Sequence, residues 1–258
     1  MPNSRASIMN FLQRLWMWHR TSQGLGFVNS VLAALGRKAL DQAQYDALRA
    51  ELLNDSEMAA QYERNIPRLA KISPHKRIAN WSERLGKADA QTDIFFVLPR
   101  ILRPTTVVET GVASGSMTSF LLAALHHNGH GALFSFDIIP KVGEFGMNWT
   151  VADSSEVGFL IPDCYRDRWN LAFADATYAM PRQFEAKQID CFFHDSDHTY
   201  DHMMFEYAFA AKHLAPGGWI ISDDITMTDA FPRYFAAKMP VFIHKSNHNI
   251  GIAVPHHD

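Results

Sequence analysis

Thr106-Val107-Val108-Glu109-Thr110-Gly111-Val112-Ala113-Ser114-Gly115-Ser116 reads as a strand, a loop with two glycines and the start of a helix. The run 105–109 is β-branched up to its terminal acid, as suits a buried strand. Glycines at 111 and 115 permit backbone angles closed to other residues and let a ligand approach the chain closely. The helix that follows, 116–125, turns free amides and a positive dipole end toward that ligand, and Ser116 is placed to cap it. The spacing Gly-x-x-x-Gly departs from the Gly-x-Gly-x-x-Gly that seats a pyrophosphate. Glu109, just before the loop, suits a ligand that carries an ammonium group. A strand-to-helix turn with no ligand accounts for the same glycines.

Outward from this segment, helices alternate with short apolar runs. A helix over 93–102 ends before Pro104, and strands are expected at 133–137, 170–174, 189–194 and 219–222. A helix over 201–214, closed by Pro216-Gly217-Gly218, and another over 230–238 separate the later strands. Two final strands, 241–244 and 250–254, have no helix between them, which implies an antiparallel edge. The pattern predicts an α/β fold with a doubly wound, mostly parallel, seven-stranded sheet. Asp137 ends the second strand, where a ribose diol would meet a carboxylate. Asp175 and Ala176 follow the third, within reach of an adenine amino group. Each acid alone reads equally as a solvated charge. Together they line the carboxyl ends of successive strands, where open α/β sheets bind ligands.

Residues 1–90 form a helical cap and residues 91–258 the sheet domain in this reading. Phe11, Leu12, Leu15 and Trp16 make one apolar stripe, Val28, Val31, Leu32 and Leu35 another, and a third helix spans 41–53. Packing as a cap or dimer surface explains these stripes. Contact with a membrane surface through Arg5, Arg14 and Arg20 is the alternative. The 258 residues carry a net charge of −3, which gives no general attraction to nucleic acid. Cys164 and Cys191 match no metal or redox spacing, and no leader or spanning segment is evident, so a cytoplasmic location is expected.

Glu109-Thr-Gly-Val-Ala-Ser-Gly-Ser116, with Asp137 beyond it, resembles the first motif and second acid of class I S-adenosylmethionine-dependent methyltransferases. The stretch from Asp190 to Tyr200 (DCFFHDSDHTY) is similar to one branch of that family. Leu214 to Asp224 (LAPGGWIISDD) strengthens the likeness. That branch includes the macrocin and mycinamicin sugar O-methyltransferases, and the resemblance covers roughly residues 90–254. It implies S-adenosylmethionine held by Glu109, Gly111, Ala113, Ser114, Gly115, Ser116, Asp137, Asp175, Ala176 and Asp195. It also implies Mg²⁺ on Asp195, Asp223 and Asp224, and His198 as the base that deprotonates an acceptor hydroxyl on a small molecule or glycan.

The residues themselves allow this. Asp195, Asp223 and Asp224 follow neighbouring strands, and close carboxylates repel unless a cation or a proton compensates; oxygen-only donors favour a hard ion. Equally, Asp195 reads as a turn cap and Asp224 as a solvated side chain. Asp197 departs from the usual apolar residue before the histidine, and would either join the ligands or raise the basicity of His198. Glu206 is placed on a solvated helix face, although helical geometry also allows it to turn back toward the sheet. His126, His127 and His130 are placed in a solvated turn, with chelation of a transition metal as the alternative. Aromatics at 145, 149, 159 and 165, in the long segment 138–169, either stack on a sugar or pack on the N-terminal helices. Rival readings are a metal-independent N- or O-methyltransferase, an NAD-dependent oxidoreductase and a non-catalytic cofactor-binding protein. Self-association is a further expectation.

Overall fold

The computed structural model describes residues 21–72, 79–138, 154–247 and 249–255. The expected stripe at 11–16, the basic residues at 5, 14 and 20 and the aromatics at 145 and 149 lie outside them. In chain order the elements are β1 (Thr21–Ser22), α1 (Gly24–Ala34), α2 (Gln42–Leu53), α3 (Ser56–Ile72) and α4 (Trp81–Gly86). A short α5 (Asp89–Gln91) passes through a π-helical turn (Thr92–Val97) into α6 (Leu98–Leu102). Then come β2 (Thr106–Thr110), α7 (Ser116–Asn128), β3 (Ala132–Asp137), β4 (Trp169–Phe173), α8 (Ala176–Gln183) and β5 (Ile189–His194). The chain continues with α9 (Tyr200–His213), β6 (Leu214–Ser222), α10 (Ala230–Phe235), β7 (Val241–His244) and β8 (Gly251–Ala253).

The strands form one sheet in the order β1-β7-β8-β6-β5-β2-β3-β4. All pairs are parallel except those of β8, which runs antiparallel between β6 and β7. The expected seven strands are present, and β1 adds a two-residue eighth beside β7. From β2 the chain winds outward through β3 and β4, then returns to place β5 and β6 on the other side of β2. The order therefore reverses at β2/β5, and a crevice opens above their carboxyl ends.

Successive residues of each strand point to opposite faces, so one strand feeds two cores. Val107, Cys191, Phe193, Trp219 and Ile221 join α7 and the N-terminal helices in one cluster. Val108, Phe192, Ile220 and Ile243 join α8, α9 and α10 in the other. Phe27, Val31, Leu52 and Trp81 lie in the first cluster with Phe95, Phe120 and Phe193. The N-terminal helices thus cap one face of the sheet and have no core of their own. Among the described residues no helix is long and apolar enough to cross a membrane.

Three local readings change. Pro216-Gly217-Gly218 lies inside β6 instead of ending α9: Ile189 pairs with Leu214 but Cys191 with Trp219, so the extra residues bulge out. A Cβ on Gly218 would stand 2.9 Å from the carbonyl oxygen of Asp190, which explains the glycine. Ser116 does not cap α7; the cap position is Gly115, with no side-chain hydrogen bond. The last helix ends at Phe235 rather than 238.

The cap is tied to the sheet by Asp93, in the π-helical turn. Its carboxylate accepts from the Tyr45 hydroxyl at 2.8 Å, from Arg49 at 3.3 Å and from His244 Nε2 at 3.0 Å. These donors come from α2 and β7, and Asp93 itself has no exposure. Removing a buried charge partner strands the groups it served. Asp93→Ala should therefore lower unfolding stability by about 3–5 kcal/mol, read by urea denaturation.

Candidate active site

The glycine loop is built by close approach of protein to protein. A Cβ on Gly111 would lie 2.0 Å from the carbonyl oxygen of Asp195, and one on Gly115 2.8 Å from the Cα of Gly158. The glycines were expected to admit a ligand; here they admit the segment after β5 and the segment before β4. Hydrogen bonds from Gly158 N to Ala113 O and from Leu160 N to Ser114 O clasp the loop. Phe159 and Tyr165 are buried here, the first under the guanidinium of Arg68 and the second bonded to Asp55. These two aromatics pack on the N-terminal helices, and do not form a sugar platform.

The three strand-end acids differ in surroundings. Glu109 is buried under the loop, where the hydroxyls of Thr118 and Ser135 donate to its two oxygens at 2.9 and 2.6 Å. Burial is the main cause that pushes its pKa up to about 8, with Asp137 adding to the rise against those bonds. Glu109 is only 1% exposed, so the ligand's ammonium expected from the sequence would have to reach a carboxylate covered by the loop. Asp137 accepts from the amides of Val112 and Ala113 at 2.9 and 3.0 Å, so it shapes the loop and holds Ala113 at a φ of 47°. Burial still raises its pKa. Asp175 caps α8 through one oxygen, which accepts from the amide and hydroxyl of Thr177, and Ala176 is buried.

Asp195 is the acid that faces the crevice, with 27% of its side chain exposed. Its amide donates to Thr110 O at the end of β2. Burial, then the fields of Asp223, Glu109, Asp224 and Asp137, push its pKa well above the usual carboxylate range. The acids therefore share one electrostatic environment. Asp224 adopts a left-handed φ of 46°, a backbone conformation rare outside glycine and stored at functional sites. Among the described residues, however, no three His, Cys, Asp or Glu side chains gather closely enough to hold a metal. The expected Mg²⁺ ligands do not form a cage as they stand.

His198 Nε2 lies 3.8 Å from Asp195 Oδ1, and its imidazole is 14% exposed. That nitrogen is buried and has no hydrogen-bond partner. Burial and then His194 lower its pKa, against weaker opposite effects from Asp224, Glu206 and Asp197. Asp197, considered as an extra ligand, instead accepts from the amide and hydroxyl of Thr199. His127, in the last turn of α7, bonds Asp55 at 2.9 Å, and His130, just beyond it, lies against Arg103.

Glu206 is the largest departure from the sequence reading. It has no exposure, and its oxygens accept from Thr110, His194, Ser196 and His202 at 2.6–2.9 Å. The signal was present: Met203, Glu206, Tyr207 and Ala210 fall at helical spacing on the buried face of α9. Burial opposes ionisation, yet His194 and His202 overcome it and bring the Glu206 pKa down to about 2. A lowered acid pKa stabilises the fold above its unfolded value of 4.5, and that contribution is lost as pH falls toward 2. Wild-type protein should lose up to about 3 kcal/mol across this window beyond what Glu206→Gln loses, read by urea melts at successive pH.

A methyltransferase-domain family model matches residues 108–225, the span from β2 to the turn after β6. No curated protein sequence matches the chain. Among solved structures, a protein from Klebsiella pneumoniae described as a candidate O-methyltransferase superposes with a TM-score of 0.54 at 13% identity, covering 83% of this chain and 96% of that one. The Bacillus cereus O-methyltransferase in complex with S-adenosylhomocysteine gives 0.50 at 18%, covering 78% and 90%. The S-adenosylhomocysteine-bound methyltransferase of Podospora anserina gives 0.50 at 11%, covering 84% and 97%. Residues 108–225 thus resemble a methyltransferase domain, and the chain carries the fold of the class I S-adenosylmethionine-dependent methyltransferases.

Proposed function

We propose that this protein transfers a methyl group from S-adenosylmethionine to a hydroxyl of a small molecule or glycan, such as a sugar or another natural product. The packing of Asp195 against Gly111 carries the reading, because it joins the loop after β5 and the glycine loop in one crevice. When bound, S-adenosylmethionine supplies a methyl group already activated by its positive sulfur. The protein's part is position and electrostatics. The backbone from Gly111 through Ala113, Ser114 and Gly115 to Ser116 cradles the donor. Asp137, Asp175 and Ala176 stand at the ends of the next two strands for the ribose and adenine. Asp195 takes the ammonium role first considered for Glu109, whose oxygens are engaged by hydroxyls. A hydroxyl is a weak nucleophile at neutral pH. His198, kept neutral by burial and with an unpartnered Nε2, accepts its proton as the oxygen is methylated.

A divalent cation is the second reading, favoured by one observation. Asp223 and Asp224 raise the proton affinity of Asp195, and a hard ion would relieve that repulsion. Among the described residues the donors do not gather into a cage without such an ion. The free thiols of Cys164 and Cys191 suit a reducing cytoplasm.

Purified protein supplied with isotopically labelled donor and a panel of hydroxylated acceptors should yield a labelled ether. His198→Ala should lower turnover by about a hundred- to ten-thousandfold while calorimetry shows unchanged binding of S-adenosylhomocysteine. Binding of NAD in place of S-adenosylhomocysteine would overturn the reading. Chelation separates the metal-assisted and metal-free forms: lost turnover, restored by Mg²⁺, with cofactor binding intact belongs only to the first.

A further inference from the structure

Among the described residues, Arg84 is a cation with no paired carboxylate, set beside the start of α7. It lies on α4, and its Nη2 donates to the hydroxyl of Ser116, the first residue of α7, at 3.3 Å. Its guanidinium sits 5.8 Å from the ring centroid of Phe120. Arg49, Arg68, Arg100 and Arg166 each pair with a carboxylate; among the described residues Arg84 has no such partner. Burial lowers its pKa, with Tyr62 opposing. A desolvated guanidinium left unpaired is costly, so an anion that arrives there recovers interaction energy the fold has left unused.

Its position points to which anion. The loop from Gly111 to Ser116 has an acid at one end, where Gly111 packs on Asp195, and a base at the other, where Ser116 meets Arg84. An amino-acid group carries both an ammonium and a carboxylate and needs partners of both signs. Glu109 is buried beneath the loop, away from the face that Asp195 and Arg84 flank. The amides of the first turn of α7 lack partners by helix geometry, and Gly115 offers no side chain to satisfy them. We propose that Arg84, with Ser116, receives the carboxylate of the methyl donor's amino-acid end. This rests on the methyl-donor reading above, and it makes the N-terminal cap part of the cofactor site. Arg84→Ala then weakens only ligands that carry the carboxylate.

Calorimetry on the full chain tests this with two ligands that differ only in that group, S-adenosylmethionine and decarboxylated S-adenosylmethionine. Charge-assisted hydrogen bonds imply that Arg84→Ala weakens the first by about tenfold or more and leaves the second within about twofold, with Arg84→Lys recovering much of the loss. The decarboxylated ligand also reports whether the variant folds. Equal weakening of both ligands, or of neither, overturns the assignment. Unchanged donor binding with a raised KM for an anionic acceptor also overturns it and moves the anion to the acceptor. If wild-type protein binds neither ligand, the methyl-donor reading itself fails, which is a different result from a failure at Arg84.

Discussion

Glu206 has no access to water, yet four side chains donate to its two oxygens. Thr110 and His194 end the two central strands, Ser196 lies in the loop between Asp195 and His198, and His202 is one turn back on α9. A buried carboxylate is tolerated only when paired and hydrogen-bonded, so these partners cannot move independently of it. The ends of β2 and β5 and the loop that carries the candidate base are thereby fixed to one helix. Preorganisation of this kind is what a reaction assisted mainly by position and field requires.

The same economy governs the glycine loop. Its glycines and the two amides that bond Asp137 are used by the protein's own backbone and side chains. The loop is therefore shaped before any ligand arrives, and it lies between an acid and a base contributed by distant segments. Asp195 comes from the far side of the crevice and Arg84 from the N-terminal helices.

The fold was legible because strand interiors buried on both faces are continuous apolar runs, and the helices between them have regular periodicity. Those two signals fixed seven strands and their winding. They did not reveal the bulge in β6, since Pro216-Gly217-Gly218 reads as a turn until the register of β5 is known. The layout of the candidate site was legible where an acid and a strand end coincide, as at Asp137 and Asp195. It was not legible where one charge answers another across the chain. Glu206 looked solvated because its partners are 4, 10, 12 and 96 residues away, although its place on the apolar stripe of α9 was available. Arg84 carried no motif at all; what marks it is that no carboxylate pairs with it among the described residues. Glu109 stands at the expected strand end, with its oxygens bonded to Thr118 and Ser135 beneath the loop.

The two residues of β1 have an effect larger than their length. Thr21 and Ser22 pair in parallel with Ile243 and His244, and Lys245 donates its amide to Ser22. Without them β7 would present a row of unsatisfied amides and carbonyls along an open margin, a template for another chain to dock by strand addition. A trimmed form that begins after Ser22 would keep most of its core and still become sticky, through self-assembly of sheets and not through unfolding.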